Sequence, residues 1–201
     1  MGERLCLLDF DDTLIAGDSL KLIMKREGWL FSPSLFLAGV GIAVCRLFRR
    51  DELKARSRFK YLLLKKYGKL SEEKKNGYIR MLRERIRPEL VSAVKDGKYD
   101  RVVVLSASEE ALIREVMDGV LSLDEIIASH IGAEQGPEDF RTCYGGEKRR
   151  RLKEAIPDYA DCDICVYTDS YSDQPLIELA GEAFLVEKGG IRRIKEDRDE
   201  R

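Results

Sequence analysis

Asp9, Asp11 and Asp12, packed into Asp9-Phe10-Asp11-Asp12-Thr13-Leu14, form the densest cluster of reactive groups in this sequence. Carboxylates this close repel one another, and each resists ionisation unless a cation compensates the field. A second acidic cluster, Asp169-Ser170-Tyr171-Ser172-Asp173, lies far downstream. Carboxylates are hard oxygen donors. With a single histidine in the chain and its cysteines scattered, the donor set favours Mg²⁺ over zinc or copper. Mg²⁺ usually keeps several waters and touches a substrate phosphate.

The two clusters can act together only if the fold brings them to one place. Leu5 to Leu8 runs into Asp9, Val102 to Leu105 into Ser106, and Ile164 to Tyr167 into Thr168-Asp169. Short continuous apolar runs rich in Val, Leu and Ile suit strands buried on both faces of a parallel sheet. Glu125 to Ser129 and Ala183 to Val186 are further strand candidates. Between the runs lie helical patterns: Leu112, Ile113, Val116 and Val120 with Gly119 near the stop, then Leu152, Ala155 and Ile156 before Pro157. Alternating strands and helices predict an α/β fold, a Rossmann-like parallel sheet flanked by helices. In such a sheet the C-terminal strand ends form one edge where ligands bind, so Asp9, Ser106 and Asp169 should meet there. Ser106, followed by Ala107-Ser108-Glu109-Glu110, also suits the N-cap of a helix.

Residues 17 to 86 hold no good strand. Ala55, Phe59, Leu62, Leu63 and Tyr67 form one helical stripe with Asp51 as its N-cap, and Tyr78, Met81, Leu82 and Ile86 form another, capped by Ser71. Pro88 fits the first turn of a helix that leads back to the sheet. The chain therefore divides into a catalytic core, 1–15 and 87–201, and an all-α cap inserted at 16–86. Within the insert, Gly28 to Cys45 contains eighteen residues without a charge. That run is shorter than the about 20 residues a membrane span needs, and it is diluted by Ser32, Pro33, Ser34 and two glycines. A crossing there would also separate Asp9 from Ser106. A buried cap helix is the expectation, and membrane contact through an interfacial, lipid-facing helix is the alternative. The charged tail from Lys195 is expected to fray.

The bulk numbers exclude several roles. Charged residues make up 36% of the chain but nearly cancel, leaving a formal charge of -1, so no global pull toward nucleic acid exists. Lys148 opens a basic run through Arg149, Arg150, Arg151 and Lys153, whose other members read as a solvated helix face. Glu3 and Arg4 lead straight into Leu5-Cys6-Leu7-Leu8, too short for the apolar core of a signal peptide, and the five cysteines are odd in number, so a cytoplasmic protein with reduced thiols is expected. Cys162 and Cys165 have the spacing of a redox pair, but Cys165 sits inside an apolar run and reads as a buried strand cysteine.

Taken in order, four motifs make the chain resemble the haloacid dehalogenase superfamily, in its phosphoserine-phosphatase-like branch. They are Asp9 to Leu14, Val102 to Ser108, Lys148 in Gly-Gly-Glu-Lys, and Thr168 to Pro175. The resemblance implies an Mg²⁺-dependent phosphatase that hydrolyses a small-molecule phosphate ester through an aspartyl-phosphate. Asp9 would be the nucleophile and Asp11 the acid and base. Ser106, Ala107, Lys148 and Thr13 would hold the phosphoryl oxygens. Mg²⁺ would be held by Asp9, Asp11 through its carbonyl, and Asp169, with Asp173 supporting from behind. Relatives acting on phosphoserine carry a Glu after the first motif to meet the amino group. Asp18 lies near that place here, and Arg56 or Arg58 would be the partner of a carboxylate. The uncharged stretch of the insert points instead to a lipid-like ester. A dehalogenase lacks the second acid of the first motif, so Asp11 argues against that activity. The alternative class is a non-catalytic binding or scaffold protein on the same core, and such a protein should have lost at least one of Asp9, Asp11, Lys148 and Asp169.

Overall fold

The structure, a computed structural model, describes residues 2–48 and 51–196. Its strands are β1 Arg4–Leu8, β2 Arg101–Glu109, β3 Glu125–Ser129, β4 Asp163–Thr168, β5 Glu182–Glu187 and β6 Gly190–Lys195. They form one sheet in the order β3-β2-β1-β4-β5-β6, with all but β6 parallel. The helices are α1 Ser19–Arg26, α2 Pro33–Leu47, α3 Glu52–Gly68, α4 Glu72–Arg83, α5 Pro88–Asp96, α6 Glu110–Met117, α7 Gly146–Ala155 and α8 Gln174–Ile177. This is the α/β architecture the sequence predicts.

Side chains of β1 alternate between two buried clusters, one on each face of the sheet. Leu5 and Leu7 pack with Leu152 of α7 and Leu176 and Ile177 of α8, while Cys6 and Leu8 pack with Leu90 of α5 and Leu112 and Val116 of α6. Burial on both faces explains why the strand runs show no polar alternation. The Cys165 thiol, buried in β4, is pushed up to about 11 by desolvation, so it stays protonated and inert.

Parallel register sets the site. Leu8 lies opposite Val104 of β2 and Tyr167 of β4. One step further, the Asp9 N–H donates to the Tyr167 carbonyl at 3.0 Å, which brings Asp9 beside Thr168-Asp169. The chain then leaves the sheet and returns through two antiparallel segments. The Ala16 N–H donates to the Arg85 carbonyl at 2.8 Å, and the Arg87 N–H to the Leu14 carbonyl at 2.9 Å. Helices α1 to α4 lie between these segments, and their buried Tyr61, Leu63 and Leu82 join the same cluster as Leu8 and Phe10. As the sequence predicts, Asp51 and Ser71 cap α3 and α4 through the N–H groups of Lys54 (3.0 Å) and Lys74 (3.4 Å).

Three expectations are corrected. Helix α2 is not buried: Leu35 is its sole buried residue, while Phe36, Leu37, Val40, Val44 and Leu47 are exposed. A helix without charges offers no polar face to turn outward, so its composition alone could not set its orientation. Ser106 does not cap a helix. Strand β2 continues past it with a register shift against β3, and the Glu109 carboxylate caps α6 by accepting from the Leu112 N–H at 2.7 Å. Lys195 does not open a frayed tail. It ends β6, and its Nζ donates to the Ile177 and Glu178 carbonyls at 3.1 Å; residues 197–201 lie outside the described residues. Among the described residues, no helix is long and apolar enough to cross a membrane.

Candidate active site

The C-terminal edge of the sheet gathers Asp9 from β1, Ser106 from β2, and Asp169 and Asp173 from the turn after β4. Lys148 comes from the first turn of α7. Gly145, at φ +56°, turns the chain into that helix in a conformation that L side chains rarely adopt. Lys148 is then buried, and its Nζ lies 2.9 Å from Asp9 Oδ1 and 2.7 Å from Asp173 Oδ2. Thr168 Oγ1 also donates to Asp173 Oδ2, at 2.9 Å. One ammonium thus bridges two carboxylates in a site closed to bulk water, where the pair interacts strongly and each partner's removal leaves a buried charge. Burial alone would lower the Lys148 pKa, but Asp9 and Asp173 together hold it above its ordinary value.

Asp9 has one oxygen committed. Its Oδ1 accepts from the Phe10 N–H at 2.9 Å in addition to meeting Lys148. Burial pushes the Asp9 carboxyl up to about 8; Lys148 opposes the rise, and Asp173 and Asp11 add to it. Asp169 is raised for the same reasons, burial first and then the neighbouring Asp12, while a hydrogen bond with Asp9 pulls it back. The Asp9 N–H bond to the Tyr167 carbonyl places Asp9 beside the Thr168-Asp169 end of β4.

Asp11 is held differently. Its Oδ1 accepts from the Ser19 N–H at 2.8 Å, its Oδ2 accepts from the Ser108 hydroxyl, and the Ser19 and Ser108 hydroxyls lie 2.9 Å apart. Both serines are fully buried. Burial raises the Asp11 pKa and Asp18 adds to the rise, against Lys60 and the two serine contacts, so this carboxyl tends to keep its proton. Ser19 and Ser108 are the site residues that the sequence reading missed. The signal for Ser108 was its place two residues beyond Ser106 at a strand end. Ser19, the first residue of α1, read only as part of a helix start.

The remaining anticipated residues divide between the strand ends and the insert, and Arg56 and Arg58 are not brought to Asp9. Ser106 is buried in β2 just before its register shift, and its hydroxyl accepts from the Ser108 N–H at 3.0 Å, with Ala107 between them. Thr13 is buried, and its hydroxyl has no partner. Asp18 caps α1 through the Lys21 N–H at 2.9 Å and pairs with Lys21 Nζ at 3.0 Å. Burial opposes ionisation of Asp18, but Lys60 and Lys21 overcome it and leave its pKa lowered. Arg56 pairs with Glu52 at 2.7 Å and lies 4.9 Å over the Tyr144 ring. Arg58 lines a groove between α2 and α3.

These groups fit a divalent cation. Asp9 and Asp169 are hard donors whose burial opposes their own ionisation, and Lys148 is already shared between Asp9 and Asp173. A buried Asp173 oxygen, Oδ1, also has no partner. Both oxygens of the Asp11 carboxylate accept from serines, and the main-chain carbonyl of Asp11 is the ligand that the resemblance implies. Among the described residues, Glu3, Asp158 and Cys162 are a separate set close enough to share an ion. Arg101 meets Glu3 at 2.7 Å and Asp158 at 2.9 Å and neutralises them.

The family model of haloacid dehalogenase-like hydrolases matches residues 6–178. No curated protein matches the sequence. Among solved structures, a Bordetella pertussis Tohama I protein of unknown function is similar at 16% identity and TM-score 0.65, covering 91% of this chain and 89% of that one. A phosphoserine phosphohydrolase-like protein from Francisella tularensis is similar at 18% identity and TM-score 0.57, covering 90% and 85%. A phosphoserine phosphatase solved as a phospho-aspartyl intermediate analogue is similar at 17% identity and TM-score 0.51, covering 91% and 86%.

Proposed function

The chain belongs to the haloacid dehalogenase-like hydrolases, and from that premise we propose that it is a phosphatase that hydrolyses a small-molecule phosphate monoester through an aspartyl-phosphate on Asp9. The carrying observation is the Lys148 ammonium set between Asp9 and Asp173, where it holds the nucleophile's carboxylate. The Asp9 carboxylate attacks phosphorus, and the bond to the ester oxygen breaks. Asp11, whose burial favours its protonated form, gives its proton to the departing oxygen. The resulting Asp11 carboxylate then takes a proton from a water that attacks the phosphorus. The bond to Asp9 breaks, inorganic phosphate leaves and both carboxyls return to their starting states. Ser19 and Ser108 fix Asp11 for both transfers. Lys148, the Ser106 hydroxyl, the Ala107 N–H and Thr13 hold the phosphoryl oxygens.

Asp9, the Asp11 carbonyl and Asp169 would hold Mg²⁺, backed by Asp173. When bound, the ion neutralises charge on the phosphoryl group and allows an anionic nucleophile to approach an anionic ester. The helical insert, 16–86, acts as a cap that selects the leaving group. Lys21 and Lys60 already balance Asp18, and Glu52 balances Arg56, whereas Arg58 is left as a partner for a carboxylate. The leaving group is an apolar, lipid-like alcohol or a phosphoserine-like one, and the ester panel below separates the two.

A panel of phosphate esters assayed with Mg²⁺ and with EDTA tests the proposal. Phosphate release should require Mg²⁺, and Asp9→Asn should lower kcat by about 10³-fold or more. Undiminished release by that variant would overturn the mechanism. If no ester is turned over, a non-catalytic binding protein takes its place.

A further inference from the structure

We propose that the outer face of α2, with the Trp29–Phe31 turn before it, is a docking surface for an anionic lipid bilayer; the proposal stands independently of the phosphatase reading. Phe36, Leu37, Val40, Val44 and Leu47 recur at helical spacing and form one stripe along the helix. Leu37 is 68% exposed and Leu47 77%, and Phe31 ahead of the helix is 90% exposed. Leu30 and Phe48 extend the patch at its two ends. A helix that serves only its own fold turns such a stripe inward, and soluble monomers rarely leave a contiguous apolar patch of this kind in water.

Charge selects the occupant. From Asp18 to Glu52 the sequence carries six cations, Lys21, Lys25, Arg26, Arg46, Arg49 and Arg50, against four acids, Asp18, Glu27, Asp51 and Glu52. Lys21 pairs with Asp18 and Arg46 with Glu52, each at 3.0 Å, and the segment keeps an excess of two cations in a chain whose formal charge is -1. All of these charges lie outside the uncharged run Gly28 to Cys45, so cations flank an apolar centre on both sides. That is the pattern of a helix lying in a membrane interface, with its apolar face at the acyl boundary and cations at the headgroup phosphates. A helix of fifteen residues is about 22 Å long, too short to cross a hydrocarbon core of about 30 Å, so it lies along the surface. Trp29, half-buried, lies in the turn that leads into α2, and indole rings are enriched at membrane interfaces.

A groove between α2 and α3 continues the face. It has a volume of about 790 Å³ and is lined by Leu37, Ala38 and Leu62 together with Lys54, Arg58 and Glu138. Lys54 pairs with Glu138 at 3.1 Å. The groove gives an acyl chain apolar walls, with Lys54 and Arg58 set among Asp51 and Glu138. A second copy of the chain suits the face less well, because a two-fold contact would press the basic flanks of both copies together.

Co-sedimentation of the full chain with vesicles decides the matter. Vesicles of three parts phosphatidylcholine to one part phosphatidylglycerol should bring down the protein at low ionic strength, and pure phosphatidylcholine vesicles should bring down much less. Raising the salt should weaken the binding, because headgroup attraction is screened. Phe36→Glu and Leu37→Glu should each reduce binding about tenfold or more while leaving hydrolysis of a soluble ester unchanged. Failure to bind the anionic vesicles overturns the proposal, as does equal binding to neutral ones. A dimer in sedimentation velocity that Phe36→Glu dissociates assigns the face to a second copy and overturns it too. Vesicle binding without phosphatase activity leaves this surface standing and removes only the catalytic reading.

Discussion

At the strand tips, charged groups are drawn out of water, whereas on α2 large apolar groups are left in it. Lys148, Asp173, Ser19 and Ser108 are buried around Asp9 and Asp11, and almost every donor and acceptor among them is matched. On α2 the exposed Phe36, Leu37, Val40, Val44 and Leu47 have no such matching. Each region departs from ordinary burial in the opposite direction. The contrast teaches that an unusual environment is informative when it leaves something unmet. At the strand tips an excess of carboxylate remains for an ion and a phosphoryl group. On α2 an apolar face remains for a surface that is not part of the chain.

Breaking the matched region should produce the largest effect. Lys148→Ala leaves Asp9 and Asp173 facing each other without a cation, and the chain should lose about 3 kcal/mol of stability by urea denaturation, together with about 10²-fold or more in kcat/KM. A smaller loss is expected from Ser108→Ala. If Ser108 orients Asp11 as an acid, kcat/KM should fall about tenfold for an alkyl phosphate, whose leaving oxygen needs a proton, and less than about threefold for p-nitrophenyl phosphate, whose oxygen does not. Equal losses on both esters would reduce Ser108 to a packing residue.

The pH dependence follows from Asp9. Its folded pKa of about 8 lies above the ordinary carboxyl value of about 4, so between these values the folded chain binds more protons than the unfolded one. Without a divalent ion, stability should therefore fall as pH rises through that window. In EDTA, Tm should decrease from pH 5 to pH 8 in the wild type and decrease less in Asp9→Asn. Added Mg²⁺ should raise Tm in the wild type alone. A flat profile in EDTA would show that Asp9 is not held in its neutral form.

Across the comparison, the smallest effect belongs to α2. Leu37→Glu replaces an exposed leucine that the fold leaves in water, so Tm should shift by the equivalent of less than about 0.5 kcal/mol. A large loss of stability there would mean that the stripe packs inward in solution and would erase the contrast.

The sheet was legible because both of its signals are local. Continuous apolar runs mark strands buried on two faces, and an acid or hydroxyl directly after each run marks the edge where parallel strand ends meet. Caps of α3 and α4 were legible for the same reason, since Asp51 and Ser71 act within their own helix starts. Strand β6 was not, because Ile191-Arg192-Arg193-Ile194 lacks the apolar run of a buried strand and forms only as the sheet's antiparallel edge.

By itself, the sequence determined the α/β class and the two acidic clusters, which follow from residue types at short spacing. The order of the four motifs, and with it the choice of Asp9, Asp11, Lys148 and Asp169, came from the family resemblance. Only the tertiary structure decided that Ser19 and Ser108, far apart in the chain, close on the same carboxylate, and that Glu109 rather than Ser106 caps α6. It also decided which way α2 faces. An uncharged helix has no polar side to mark as outward, so its orientation is set by what packs against it, and on the outer face no part of the described chain does.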